Sequence, residues 1–560
     1  MSTKWMLGTL MAGLMAVVGC SDSGKGSEQP AGAKGAPTQA ATTTSGKTPP
    51  ARTLRFNAGT DPSTLDPTFN SGIQEGWILS GLMEGLIRLD RDSKPIPAVA
   101  ESWTHSEDYL TWTFTLRRDA KWHNGDPVTA HDFVYAIERI STPSTAAPYA
   151  QNVYMFLQGG AEYYAGGGKD KGLPAPGVRA VDDHTIVYTL AQAAPYFLTV
   201  LQFTAWLPLH RPTIESAGPG WFLKPETFVG NGPFRMEQYR PGDRIVMRKA
   251  DTYWDRDRIW WDDVHVYLIS SETTENAAFL TGDLDATSGV AVAEVDKWRG
   301  KPEFRSVPTF GTQYVAFNTT VAPFNDRRVR RAFSLAINRT LLTQQVTRRG
   351  EIVPRGIVPT SLASVVEGQS YRDRAGNFVG RTDVEEARRL LAEAGFADPK
   401  TLPQIEYLYN TREDNKLIAE QLQSMWNRAF GIDVRLSNKE WGVVSAALVS
   451  GDFMCARATW FGDYVDALAF LEIFETGNSK NAPKFSNPEF DALVESARRE
   501  TDPLKREDML IAAERLLIQD EAVVAPIYHY VSPMLVRTDL IDFGANTLNN
   551  LVWIHSRRAQ

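Results

Sequence analysis

The stretch 405–436 constrains the fold more than any other. Ile405 to Tyr409 reads as an apolar strand, a helix is predicted from about Asn415 to Ala429 ending near Gly431, and Ile432, Val434 and Leu436 alternate after it. In that order these pieces spell a βαβ unit, because parallel strands cannot be joined by a tight turn and need a crossover of about a dozen residues. A second helix is expected over 386–393. Thr382 with Glu385 makes a capping box, Ala387, Leu390, Leu391 and Ala394 share one face, and Gly395 suits the C′ position. A last long helix is expected from about Pro503 to Gln519. Earlier in the chain the period shortens to two. Thr111–Leu116 alternates, as do Arg244 to Arg248 and, more loosely, Thr185 to Leu190, with turns such as His123–Asp126 between strands. The expected class is α/β with an antiparallel-rich region, in at least two lobes and without an internal repeat.

Composition narrows the function classes. The 59 basic and 67 acidic side chains leave a net charge of -8. A nucleic-acid binder should instead carry a basic surplus, so no nucleic-acid partner is expected. With 43% hydrophobic and 22% charged residues, the chain can bury a core over most of its 560 residues. Its two cysteines, Cys20 and Cys455, cannot build a disulfide scaffold or a four-thiolate zinc site. The 15 Trp suit a cleft that grips a small organic ligand.

Lys4, the apolar run Met6–Val18 and Val17-Val18-Gly19 before Cys20 read as a secretory signal. The segment resembles the lipobox of bacterial lipoproteins, which implies cleavage before Cys20 and a lipid on that cysteine. An ordinary secretory signal with an incidental cysteine is the alternative. Residues 20–53, mostly Ser, Gly, Pro, Ala, Thr, Gln and Lys, then read as a flexible tether with a reach of about 30 Å. Gly46-Lys47-Thr48 lies inside it. It imitates the end of a phosphate-binding loop, but position 41 is Ala and Pro49-Pro50 follows, so no nucleotide site is expected. No later segment reaches the eighteen or so apolar residues of a spanning helix.

Catalytic signatures are missing. None of the eight His falls in a His-Glu-x-x-His pattern, and there is no Gly-x-Ser-x-Gly elbow. Cys455, in Phe453-Met454-Cys455-Ala456, reads as a small buried apolar residue, and His123 and His131 as solvated or structurally bonded side chains. No cofactor, metal site or enzymatic activity is expected, with an extracytoplasmic hydrolase as the alternative.

Other segments carry a resemblance. Leu82-Met83-Glu84-Gly85-Leu86-Ile87-Arg88-Leu89, Pro97–Trp103, Leu110–Arg117, Lys121–Ala130 and Asp132-Phe133-Val134-Tyr135 resemble the N-terminal signature of the solute-binding proteins of peptide ABC importers, family 5. The likeness continues through Gly230–Phe234, Tyr253-Trp254, Pro323–Ala332 and Asp463-Tyr464. Within that family Asp132–Tyr135, Pro148-Tyr149-Ala150 and Trp460–Leu471 are most similar to the oligopeptide-binding subgroup.

The resemblance implies a periplasmic-binding-protein-like fold (type II, cluster C). Its three lobes would comprise 54–87, 209–311 and 531–560 as lobe I, 88–208 as lobe II and 312–530 as lobe III, with hinge closure of two α/β lobes around the ligand. It implies an oligopeptide ligand, the permease of an ABC importer as partner, a monomeric receptor and an extracytoplasmic location. Asp463 matches the carboxylate that binds the peptide ammonium, with a turn-capping role as the alternative. Arg457 matches an arginine that can pair a peptide carboxylate, with a structural salt bridge as the alternative. Glu75, Tyr149, Trp441 and Trp460 fall at pocket positions. Gly311 and Phe461 stand where the prototype has two disulfide-forming cysteines, and Asn415 and Thr347 where a His and a Lys reach the ligand carboxylate. Arg348, Arg349 or Arg412 are the nearby substitutes. Murein peptides, amino-acid derivatives and oligosaccharides are alternative ligands of the same scaffold.

Overall fold

The computed structural model describes residues 52–70 and 72–559. Cys20, the predicted signal, Gly46-Lys47-Thr48 and the tether as far as residue 51 lie outside the described residues.

The chain enters with β1 (Thr53–Asn57), followed by α1 (Ile73–Leu82). Then come β2 (Ala100–His105), β3 (Thr111–Leu116), β4 (Val178–Asp182) and β5 (Thr185–Thr189). These four make an antiparallel sheet in the order β2-β3-β5-β4, with α2 (Ala150–Tyr154) inserted before β4. In β3, Trp112, Phe114 and Leu116 are buried and the threonines between them turn outward, as the alternation predicts. Next come β6 (Phe234–Arg240), β7 (Arg244–Lys249) and β8 (Asp263–Tyr267). β8 returns parallel to β1, closing a mixed sheet in the order β1-β8-β7-β6.

The third sheet is built from β9 (Phe304–Phe317), β10 (Glu406–Asn410), β11 (Arg435–Lys439), β12 (Cys455–Phe461) and β13 (Val524–Leu535), in the order β11-β10-β12-β9-β13. Its helices are α3 (Val384–Glu393), α4 (Glu413–Phe430), α5 (Trp441–Ser450), α6 (Pro488–Arg499) and α7 (Pro503–Arg515). The βαβ unit is present: β10 runs parallel to β11 across α4. Ile418, Leu422, Met425, Trp426 and Ala429 form the buried stripe of α4, and Gly431 ends it at φ 69°, its N–H bonded to the Asn427 carbonyl. The second strand begins later than the alternation suggests. Ile432 and Val434 are buried on the way in, whereas β11 is an exposed edge with only partial burial. The cap of α3 also differs by one residue. Asp383 accepts the Glu386 N–H at 3.0 Å, while the Thr382 hydroxyl donates to the Ile337 carbonyl instead. Gly395 follows the helix at φ 97°, as expected.

Alternation gives the third sheet two dry faces. Tyr407, Tyr409, Val315, Phe317 and Cys455 pack with α4 on one side, whereas Leu408 and Ala456 meet Val444 of α5 on the other. The Cys455 thiol is buried and its pKa pushed up by that burial. β9 and β13 pair along nearly their whole length, with register shifts between Pro308 and Thr312 and between Gln313 and Tyr314. Just past β13, Val536 bridges to Ala286, which bridges to Phe56 of β1. This two-stranded ribbon therefore ties the third sheet to the β1 sheet.

Candidate ligand-binding site

Because β10, β11 and β12 run parallel, their carboxyl ends, at Asn410, Lys439 and Phe461, lie along one edge of the sheet. Ligands of open α/β sheets bind at that edge. Antiparallel pairing brings Gly311 of β9, opposite Phe461, and Tyr528–Tyr530 of β13 to the same place.

Asp463 lies two residues past β12, in a loop held firmly on both sides. Gly462 donates to the Phe310 carbonyl at 2.9 Å and sits so close to the Phe310 and Phe470 rings that no Cβ fits. The Tyr464 ring stacks on Tyr196 at 4.3 Å, and its hydroxyl donates to Glu472 at 2.8 Å. Asp466 is gripped by Arg506 through two bonds of 2.7 and 2.9 Å. Asp463 itself receives no hydrogen bond and forms no ion pair among the described residues. Burial pushes its carboxyl up to about 6, with the more distant Lys480 charge only partly offsetting that. The turn-capping role is thus unfilled. What remains is an acceptor-only group, rigidly placed, whose lone pairs are free for a cation.

Arg457, on β12, is buried without a carboxylate partner, so the structural salt bridge is not formed. Its guanidinium donates to Gln313 Oε1 at 3.2 Å and to the Tyr530 hydroxyl at 3.1 Å, both neutral. Tyr528 and Tyr530 also donate to Gln313 Oε1, at 3.0 and 2.9 Å. Gln313, Tyr528 and Tyr530 were not among the residues singled out from sequence. They lie on neighbouring strands, and no local pattern distinguishes them from other strand residues.

Tyr149 precedes α2, packs on Phe203 at 4.7 Å and feels the charge of Asp463; burial chiefly, and that charge after it, raises its pKa. Glu75, in the first turn of α1, accepts the Ser63 N–H and hydroxyl, both at 3.0 Å. The α1 segment connects back to Tyr149 through the Asn70 bond to Thr204, next to Phe203. Trp441 opens α5 just beyond β11 and is 51% exposed. Trp460 alternates to the opposite face of β12 from Arg457 and Phe461, and its indole donates to the Ala469 carbonyl at 2.7 Å. Of the six residues, Asp463 and Tyr149 are brought within electrostatic reach of each other, Arg457 lies on β12 six residues before Asp463, Trp441 is exposed at the start of α5, and Glu75 and Trp460 are bonded to the scaffold.

The candidates for a carboxylate clamp separate. Arg348 is paired with Asp296, and Arg412 with Asp414 at 2.7 Å. Arg349 has no ion pair of its own within 4 Å among the described residues, although its charge acts on Glu351, whose carboxyl accepts the Arg349 N–H at 2.9 Å. Asn415 is buried and donates to Asn410, and Thr347 is buried against the Leu342 carbonyl. Neither replaces a charged ligand. The His123 Nε2–H donates to the Gly232 carbonyl at 3.0 Å, and burial drives the imidazole down to about 4, a structural role. Among the described residues no cluster of His, Cys, Asp and Glu is disposed to hold a metal, and no helix is long and apolar enough to cross a membrane.

The mixed α/β sheets, with an acid and an arginine on or just past β12 that lack ion-pair partners, define a binding protein of the type II periplasmic class. Residues 94–482 match the bacterial extracellular solute-binding proteins, family 5, and the chain belongs to that family. It is 34% identical over 528 residues to the dipeptide-binding protein DppE of Bacillus subtilis, covering 94% of this chain and 93% of the relative. It is likewise 34% identical over 507 residues to the periplasmic oligopeptide-binding protein OppA of Salmonella typhimurium, covering 89% and 91%. The solved structure of the Escherichia coli murein tripeptide-binding protein MppA superposes with a TM-score of 0.74 at 30% identity, covering 91% of this chain and 99% of that one.

Proposed function

We propose that this protein is a lipid-anchored extracytoplasmic receptor that captures oligopeptides in a cleft between two α/β lobes and delivers them to the permease of an ABC importer. The observation that carries the reading is the carboxylate of Asp463, half-buried, rigidly mounted and unpartnered. A charge withdrawn from water is costly unless something pairs it, and a peptide ammonium brings three donors. Arg457, buried beside neutral partners only, meets the ligand carboxylate. Tyr149 and Trp441 line the cleft between them, and Trp460 and Glu75 hold its walls. The dipeptide- and oligopeptide-binding relatives support a peptide cargo.

Sheet membership supports the lobe boundaries. β1 and β6–β8 fall in lobe I, β2–β5 in 88–208, and β10–β12 in 312–530. β9 and β13 overrun the boundaries at 311 and 530, as the two strands of a hinge must. No bond of the ligand is made or broken in this cycle. Cys20 carries the lipid, the receptor acts as a monomer, and closure around the ligand presents it to the permease.

Mass spectrometry of the protein truncated at Ser21, under native and then denaturing conditions, tests the reading. A ladder of co-purifying di- to pentapeptides is expected, and one defined non-peptide mass would overturn it. A murein peptide is the second reading, favoured by the likeness to MppA, and would appear as a single mass containing diaminopimelate.

A further inference from the structure

Phe461 is the one large apolar side chain on the five strands of the third sheet that is exposed among the described residues, at 40%. It shares a face of β12 with Arg457 and Thr459, and lies between Arg457 and Asp463 in sequence. The position opposite is Gly311, over which the ring lies so closely that no Cβ fits. Behind it stands Tyr530, ring centroids 4.8 Å apart. Tyr530 is itself fixed by its bond to Gln313 and by donors from Arg457 at 3.1 Å and Thr459 at 3.2 Å. A rigid aromatic surface is therefore left uncovered between the two charges that the ligand ends would occupy.

We infer that Phe461, backed by Tyr530, is a specificity-determining residue that takes an apolar or aromatic side chain close to the amino end of the ligand. The inference rests on the peptide-receptor reading above. Asp463 lies two residues beyond Phe461, at most about 7 Å along the backbone, and an extended ligand advances about 3.3 Å per residue. The ring is thus within reach of one of the first three ligand residues. Offset or edge-on contact with a ligand ring adds to the burial of both faces.

Calorimetric titration of the purified protein with Ala-Ala-Ala and with Phe-Ala-Ala, Ala-Phe-Ala and Ala-Ala-Phe tests this. One phenylalanine position should bind about tenfold more tightly than Ala-Ala-Ala. Phe461→Ala should weaken that peptide about tenfold more than Ala-Ala-Ala. Phe461→Leu, which keeps an apolar cover on Gly311, should also lose the aromatic preference. Binding of Ala-Ala-Ala without preference for phenylalanine at any position, or equal weakening of all four peptides in both variants, would overturn the inference and leave the receptor reading intact. Failure of all four peptides to bind the unaltered protein would overturn both.

Discussion

Gly311 of β9 and Phe461 of β12 face each other across the strand pair, the phenyl ring lying directly over the glycine. An aromatic ring thus rests on a glycine at the positions where the family resemblance implies two disulfide-forming cysteines. Gly311→Ala would push a methyl group into the ring, and overpacking of this kind costs roughly 1–3 kcal/mol. Denaturant unfolding should show that loss, and Gly311→Ala/Phe461→Ala should recover part of it. Two cysteines at these positions are expected to oxidise and to raise the stability by about 2–4 kcal/mol, lost again on reduction.

Asp463→Asn separates function from stability. It keeps the shape of the loop but removes the charge that pairs the ligand ammonium. Peptide affinity should fall by about thirtyfold or more, since removing one partner of a buried charge pair costs about 2–5 kcal/mol. The unliganded variant should nevertheless melt higher at pH 7 than the parent, by an amount equivalent to about 1–3 kcal/mol, because an unpaired, partly buried charge has been neutralised. A variant that binds normally, or melts lower, would remove Asp463 from the site.

The same carboxyl sets a pH dependence. Burial holds it at about 6 in the folded protein, above its ordinary value near 4. The folded state therefore retains this proton more tightly than the unfolded chain. The contribution to stability is fully present below about pH 4 and is lost as pH rises through about 6. Ligand binding runs the other way. An ammonium needs the ionised form, so affinity should decline about tenfold per pH unit below 6. Titrations at pH 7.5, 6 and 5 should show the decline in the parent and a flat profile in Asp463→Asn.

Arg457→Met leaves Gln313 and Tyr530 without their cation and removes the guanidinium proposed to meet the ligand carboxylate. Affinity for a free-acid peptide should drop by about thirtyfold or more, while the same peptide with an amidated C-terminus should bind parent and variant within a few-fold of each other. Equal losses for acid and amide would assign Arg457 a structural role only.

Arg372 and Glu514 form an ion pair with both side chains fully buried, Arg372 donating also to the Val358 carbonyl and Glu514 accepting the Val358 N–H at 2.9 Å. Glu514→Gln should cost about 3–5 kcal/mol by stranding the guanidinium. Peptide affinity measured well below the melting temperature should be unchanged, because neither residue lines the cleft.

Much of this protein was legible in the sequence wherever the information is local. The alternation of Thr111–Leu116, the stripe of 413–430 and the glycine stops at 395 and 431 reappear as strand, helix and caps, because strand and helix periods are set by the backbone and by which side chains water rejects. Edges were less legible. The cap of α3 moved from Thr382 to Asp383, since the Thr382 hydroxyl found a carbonyl on another segment, and β11 started three residues past Ile432 because that residue belongs to the core rather than to the ladder. Asp463 and Arg457 stood out through resemblance. Which charges near them are free was decided only by tertiary structure: Arg348 and Arg412 are claimed by Asp296 and Asp414, and Glu75 by Ser63, whereas Asp463 and Arg457 have no opposite charge beside them. The physical reason is that a sequence specifies each side chain's chemistry and its local period, but pairing depends on which distant strand and loop bring a partner within about 4 Å, and on how much water the fold leaves there.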